Sequence, residues 1–216
     1  MKNRNFLICG LIIMATLVAG LVAFPHLPAR VPSHWDIHGN VNGYSSRAAV
    51  VFVFPGIMAG IVLLFAALPA LSPRHFEVET FRSTYLYLML IMVAAIAYFH
   101  GLLLWAALSQ PISMPRAAMG GVCVLIALVG NVLGKVKRNF YVGVRTPWTL
   151  ANERVWYATH RLAGKLLVAL GCLGLVLTFL LPSPVPAMLL ICVGSLYPVL
   201  YSFLYYKRLE KQGAEL

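Results

Sequence analysis

The chain has 216 residues and a net charge of +11, with 61% hydrophobic residues and only 11% charged ones, where a soluble domain carries roughly 25%. These proportions exclude an ordinary soluble enzyme or binding module and define an integral membrane protein. The basic excess does not indicate a direct nucleic-acid partner, because no basic patch is interleaved with stacking aromatics on a soluble unit.

Six apolar stretches, about 6–24, 50–71, 84–108, 117–133, 166–181 and 187–206, are long enough to cross roughly 30 Å of hydrocarbon as helices. In lipid every main-chain amide must be satisfied within its own segment, so uninterrupted runs of this length read as helices. The fold class is therefore all-α with six transmembrane helices, and the alternating strands of a membrane barrel are not seen. The first stretch follows Lys2 and Arg4, as a secretory signal would, but it runs long and has no small-x-small cleavage site before Pro25. It reads as a retained anchor. Cys9, Cys123, Cys172 and Cys192 each fall within a span without CxxC pairing, which suits small packing residues rather than a disulfide or zinc framework.

The first long connection covers 25–49. Pro28 and Pro32 hold its approach extended, and Gly39 with the Asn42-Gly43 pair supplies turns, so a compact and ordered excursion is expected. His34, Asp36 and His38 alternate, which in an extended segment points them to one side as three donors for a divalent metal such as zinc. His100, inside the third span, is placed to approach them from below, and an ionisable residue within a span is a functional candidate. The competing reading has no cofactor: Asp36-Ile37-His38-Gly39 makes a turn whose carboxylate caps backbone amides, and His100 is only hydrogen-bonded.

Among the spans, Gly56 with Gly60 and Gly130 with Gly134 form small-xxx-small pairs that permit close helix approach. Pro198 removes one backbone donor from the last span and bends it. Tyr197, Tyr201 and Tyr205 share one face there, as packing or interfacial aromatics.

The second long connection, 134–165, carries seven of the seventeen Lys and Arg residues. Thr149 is positioned to cap a helix starting near Leu150, after Pro147. On that helix Asn152, Trp156 and His160 recur at every fourth position and face protein at the membrane surface. Glu153 is the segment's one acidic residue, with Arg145, Arg154 and Arg161 as prospective ion-pair partners. A structural role, held by ion pairs and by Trp148 and Trp156 as anchors, stands beside direct contact with a ligand or partner.

With the N-terminus cytoplasmic, fourteen Lys and Arg residues lie inside and three, Arg30, Arg47 and Arg116, lie outside, so the positive-inside rule places both termini in the cytoplasm. The chain then divides into three-helix halves, 1–108 and 109–216, each with a long loop after its first helix. Three is odd, so the halves have opposite orientation, the layout of a 3+3 inverted repeat.

The outer loop, Leu27-Pro-Ala-Arg-Val-Pro-Ser-His-Trp-Asp-Ile-His-Gly-Asn-Val-Asn-Gly-Tyr44, resembles the motif of DUF1648-type bacterial membrane proteins, roughly LPxxIPxHWxxxGxxxGY. The inner segment, Asn139-Phe-Tyr-Val-Gly-Val-Arg-Thr-Pro-Trp-Thr-Leu150 followed by Asn152-Glu153, Trp156 and Thr159-His160-Arg161, is similar to the signature of the SdpI family. With six spans, the two motifs cover essentially the whole chain. The resemblance implies a multi-pass protein of the bacterial plasma membrane that confers resistance to a membrane-active peptide toxin. It also implies signalling through a cytoplasmic repressor held at the membrane.

The motifs and the residue chemistry together single out His34, Trp35, Asp36, His38, Gly39 and Tyr44 outside. Inside they single out Asn139, Gly143, Arg145, Thr146, Pro147, Trp148, Asn152, Glu153, Trp156 and His160. Besides membrane lipid, the expected partners are a toxin peptide at the outer loop and a regulator at the inner segment. The chain has no HExxH, nucleophile elbow or phosphate-binding Gly loop, so binding rather than turnover is expected. A metal-dependent membrane enzyme using His34, Asp36, His38 and His100 is the alternative, and a small transporter comes third.

Overall fold

The computed structural model describes residues 2–72, 78–109 and 111–213, with side chains from residue 4 onward. Arg74 and His75 of the connection before the third span lie outside the described residues. Six helical stretches among the described residues are long and apolar enough to cross a membrane: Arg4–His26, Arg47–Leu71, Val78–Ala107, Met114–Leu133, Glu153–Leu180 and Val185–Lys211. In chain order the elements are α1 Lys2–Ala23, β1 Arg30–Trp35, β2 Val41–Ser46, α2 Arg47–Ala67, α3 Arg82–Ala107, α4 Met114–Leu133, α5 Pro147–Ala151, α6 Glu153–Leu180, α7 Val185–Gly194 and α8 Tyr197–Lys211.

Two spans differ from their sequence outlines. The fifth begins at Glu153 rather than 166, because residues 153–165 form an amphipathic first stretch of α6 that buries Val155, Trp156, Thr159, His160 and Ala163. The sixth is broken into α7 and α8 at Ser195-Leu196, with Pro198 in the first turn of α8. Proline lacks the N–H that would continue the ladder, so the expected bend at Pro198 takes the form of a break.

The most extensive helix–helix contact among the described residues is between α4 and α6. A Cβ on Gly130 would stand 2.8 Å from Leu167 Cβ and 2.9 Å from Gly164 O, and one on Gly171 would stand 2.5 Å from Cys123 O. Backbones meet directly here, the close approach that small residues permit in lipid. Gly134 meets Arg161 of α6 more loosely, at 3.6 Å, whereas Gly56 and Gly60 face open space. Cys9 and Cys123 are buried packing residues, but Cys172 and Cys192 are exposed.

The first long connection is a two-stranded antiparallel hairpin, a local β element in an otherwise helical chain. Leu27 and Val31 are buried with Ala23, Val50, Val51, Leu103, Leu104 and Ala107, so the base of the hairpin is fastened to α1, α2 and α3. His100, expected to approach the hairpin histidines, is buried and bonds through Nε2 to Val50 O at 3.1 Å. Its ring lies 5.1 Å from that of Phe54. It therefore pins α3 to α2, which is the hydrogen-bonded reading.

Candidate functional site

Each end of the bundle carries one group of the residues singled out by sequence. At the hairpin end, Asp36 Oδ1 accepts from the main-chain N–H groups of His38 at 2.9 Å and Asn40 at 2.8 Å, and Oδ2 accepts from the Asn40 side chain at 3.1 Å. Gly39 completes this turn at φ +89° and rests 3.6 Å from Pro115 at the start of α4, measured from where a Cβ would be. Glycine suits this position because a side chain at such a φ is strained. His34 Nδ1 pairs with the Asn42 side chain, and the Arg30 guanidinium lies 5.5 Å above the Tyr44 ring.

The alternation that was to aim His34, Asp36 and His38 to one side is lost. The register slips on either side of His34, and Asp36 already belongs to the turn. No group of three His, Cys, Asp or Glu among the described residues is placed to hold a metal ion. Gly43, expected in a turn, lies instead in β2 opposite His34, where a Cβ would come within 2.8 Å of His34 Cβ.

The Asn40 side chain and main-chain amides around Asp36 hold its carboxyl below the ordinary value of 3.8. Because the folded-state value is the depressed one, the turn's contribution is fully present above the ordinary carboxylate range and is lost as pH falls through the folded value. The Asp36 carboxyl carbon, followed by NMR, is expected to titrate below 3.8, with hairpin amide shifts moving in step. A midpoint at or above that value contradicts the capped turn.

At the other end the chain between α4 and α6 is tied into a knot. Asn139, fully buried, takes the N–H groups of Tyr141 and Val142 on Oδ1, both at 2.7 Å, and donates to Lys137 O at 2.8 Å and Val142 O at 3.1 Å. The Arg145 guanidinium donates to Phe140 O, and the Tyr141 hydroxyl reaches Leu71 O at the end of the second span at 2.8 Å.

Trp156 and His160 are fully buried, their rings stacked with centroids 4.0 Å apart. Trp156 Nε1 donates to Val136 O at 2.8 Å. His160 Nε2 accepts the Val144 N–H at 3.0 Å, and Nδ1 lies 2.8 Å from Trp156 O. Only the tautomer with its hydrogen on Nδ1 satisfies both contacts. Gly143, at φ +113°, approaches the edge of this ring at Nε2.

Capping differs from the sequence expectation by three residues. Thr146, not Thr149, caps α5, and Pro147 occupies the start of that helix. The Thr149 N–H donates to Thr146 Oγ1 at 3.2 Å, and the Thr146 N–H donates back to Thr149 Oγ1 at 2.9 Å, a reciprocal capping box. Asn152, itself buried, is the cap of α6 rather than a residue on its face, accepting from the Val155 N–H at 3.1 Å, so the helical stripe comprises Trp156 and His160. Glu153 makes no ion pair with Arg145, Arg154 or Arg161 among the described residues. It opens α6 beside the Tyr157 hydroxyl.

Sequence reasoning missed Ser202, whose hydroxyl lies 3.0 Å from Thr146 Oγ1. Together with Trp148 against Phe203 at 5.0 Å, it fastens the knot to α8. It also missed Ser113, Pro115, Arg116 and Ser183, which lie beneath the hairpin tip. They come from the starts of other spans, where nothing in the local sequence distinguishes them.

This arrangement defines a multi-pass helical membrane protein with an ordered hairpin at one end and a hydrogen-bonded knot at the other. Residues 135–205, which include the knot, match the model of the SdpI/YfhL protein family. Residues 11–59, which include the hairpin, match a domain of unknown function, DUF1648. The chain is 25% identical over 210 residues to the immunity protein SdpI of Bacillus subtilis (strain 168), covering 96% of this chain and 98% of that protein. No solved structure matches.

Proposed function

We propose that the protein is a membrane immunity protein of the bacterial plasma membrane. In this reading it binds a membrane-active peptide at the hairpin end and passes occupancy to the knot, where a cytoplasmic regulator is held. The observation that carries the reading is the match to the immunity protein along 96% of the chain. Two preorganised ends joined by helices are in keeping with this reading. Orientation is inferred from the sequence: with the knot side cytoplasmic, fourteen Lys and Arg residues are assigned inside and three outside, so the positive-inside rule favours a cytoplasmic knot and cytoplasmic termini. The knot ties the chain just past the ends of the second and fourth spans to α6 and α8, so displacement of one helix by a ligand at the hairpin end is felt at its surface.

The experiment is expression in a strain sensitive to a panel of amphipathic cationic peptides. Cells making the protein are expected to survive at least one peptide dose that kills the vector control, and Trp35→Ala is expected to weaken protection at equal insertion. Equal killing of vector cells and of cells with well-inserted wild type, across the panel, sinks the immunity reading.

A further inference from the structure

Pro115 stands at the centre of a set of hollows beneath the hairpin tip. A polar hollow of about 260 Å³ is lined by His38, Ser113, Arg116 and Ser183 among others. An apolar furrow of about 230 Å³ is lined by Trp35, Met119, Val122, Val185 and Met188 among others. The two share Ile37, Pro115 and Pro184, so one continues into the other. The furrow follows α4 and α7 away from their first turns, toward the middle of the spans.

The polar part favours an anion. Arg116 is half-buried, and its Nη2 is held by Leu181 O at 3.2 Å and Pro182 O at 3.0 Å, which fixes the guanidinium at the mouth instead of leaving it to sweep through water. His38 lines the same hollow. Asp36 is the hairpin's one acidic residue, and both its oxygens are turned into the capped turn. The positive ends of α4 and α7 open toward the same place.

The apolar part sets the width. A peptide helix, about 10–12 Å across with side chains, needs a broad groove. A furrow of about 230 Å³ spread from Pro115 to Val122, roughly 10 Å along the helix axis, accommodates a single hydrocarbon chain.

We propose that this hollow is a binding site for one anionic phospholipid. The phosphate contacts Arg116 and His38, the hydroxyls of Ser113 and Ser183 face the headgroup, and the first part of one acyl chain lies in the furrow beside Trp35. The site does not depend on the immunity reading, because phospholipid retention is measured without any peptide.

The test is native mass spectrometry of the intact protein released from detergent, titrated separately with phosphatidylglycerol, phosphatidylcholine and glycerol 3-phosphate. One phosphatidylglycerol per chain is expected to be retained about fivefold more strongly than phosphatidylcholine, in line with roughly fivefold for one engaged cation, Arg116, and glycerol 3-phosphate is not retained. His38→Ala preserves the turn, since Asp36 takes only the main-chain N–H of His38; it is expected to lower the preference. Val122→Phe fills the furrow and is expected to lower retention of both lipids. Equal retention of the two lipids overturns the proposal, as does a preference that His38→Ala leaves unchanged. Retention of glycerol 3-phosphate at the level of phosphatidylglycerol also overturns it, by showing a free-anion site without a lipid.

Discussion

Trp156→Ala is expected to destabilise the protein by about 3–5 kcal/mol, the range for removing a buried Trp from a packed core. The loss has three physical parts. Trp156 is fully buried, so its removal leaves a cavity that α4 and α6 have little freedom to close, their backbones already meeting at Gly130 and Gly164. Its Nε1 hydrogen bond to Val136 O at 2.8 Å disappears, leaving a buried carbonyl at the start of the knot. The face on which His160 stacks is also gone. Trp156→Phe keeps most of the ring and loses the N–H, so it is expected to cost less, near the roughly 1–3 kcal/mol of an unsatisfied buried polar group. Steric trapping in bicelles, read for wild type, Trp156→Phe and Trp156→Ala, checks the order. Equal stability of Trp156→Ala and wild type contradicts the knot as a packed unit.

The six spans were legible because their cause is a single length-scale, the apolar run that crosses the hydrocarbon. What escaped depended on contacts between distant residues. The first stretch of α6 was hidden because Glu153, Arg154, Arg161 and Lys165 dilute its apolar content, and its burial comes from one face only. The hairpin read as an ordered excursion rather than as strands, since Pro32 lies within β1 and the register slips around His34. These features break the alternation on which a strand reading rests. The metal reading of His34, Asp36 and His38 depended on that same alternation. The turn reading of Asp36 needed only a local rule, the Asx side chain bonding amides two and four residues on, and the structure has that arrangement. At Thr146 a usable signal was present: Pro favours the first helical position, so the residue just before Pro147 is the cap. The bond from Thr146 to Ser202 had no such signal, because the partner is 56 residues away.

Gly143→Ala is expected to be the most damaging single-methyl substitution in the knot. Gly143 has φ +113°, a backbone state that costs a side chain about 1–3 kcal/mol. The new Cβ would also stand 2.2 Å from His160 Nε2. Rotating the ring away is not a cheap escape, because His160 is held on three sides: by Trp156 O at Nδ1, by the Val144 N–H at Nε2, and by the Trp156 ring. Expelling it leaves the Val144 N–H without its acceptor, so the combined cost is expected at roughly 3–4 kcal/mol. A double-mutant cycle separates the two contributions. In a His160→Ala background the clash is absent, and Gly143→Ala should cost only the backbone strain, giving a coupling of about 1–2 kcal/mol. Steric-trapping stabilities of the four proteins measure it directly. Strict additivity would show that Gly143 is required for its backbone conformation alone, and that its close approach to His160 Nε2 contributes nothing to holding the knot.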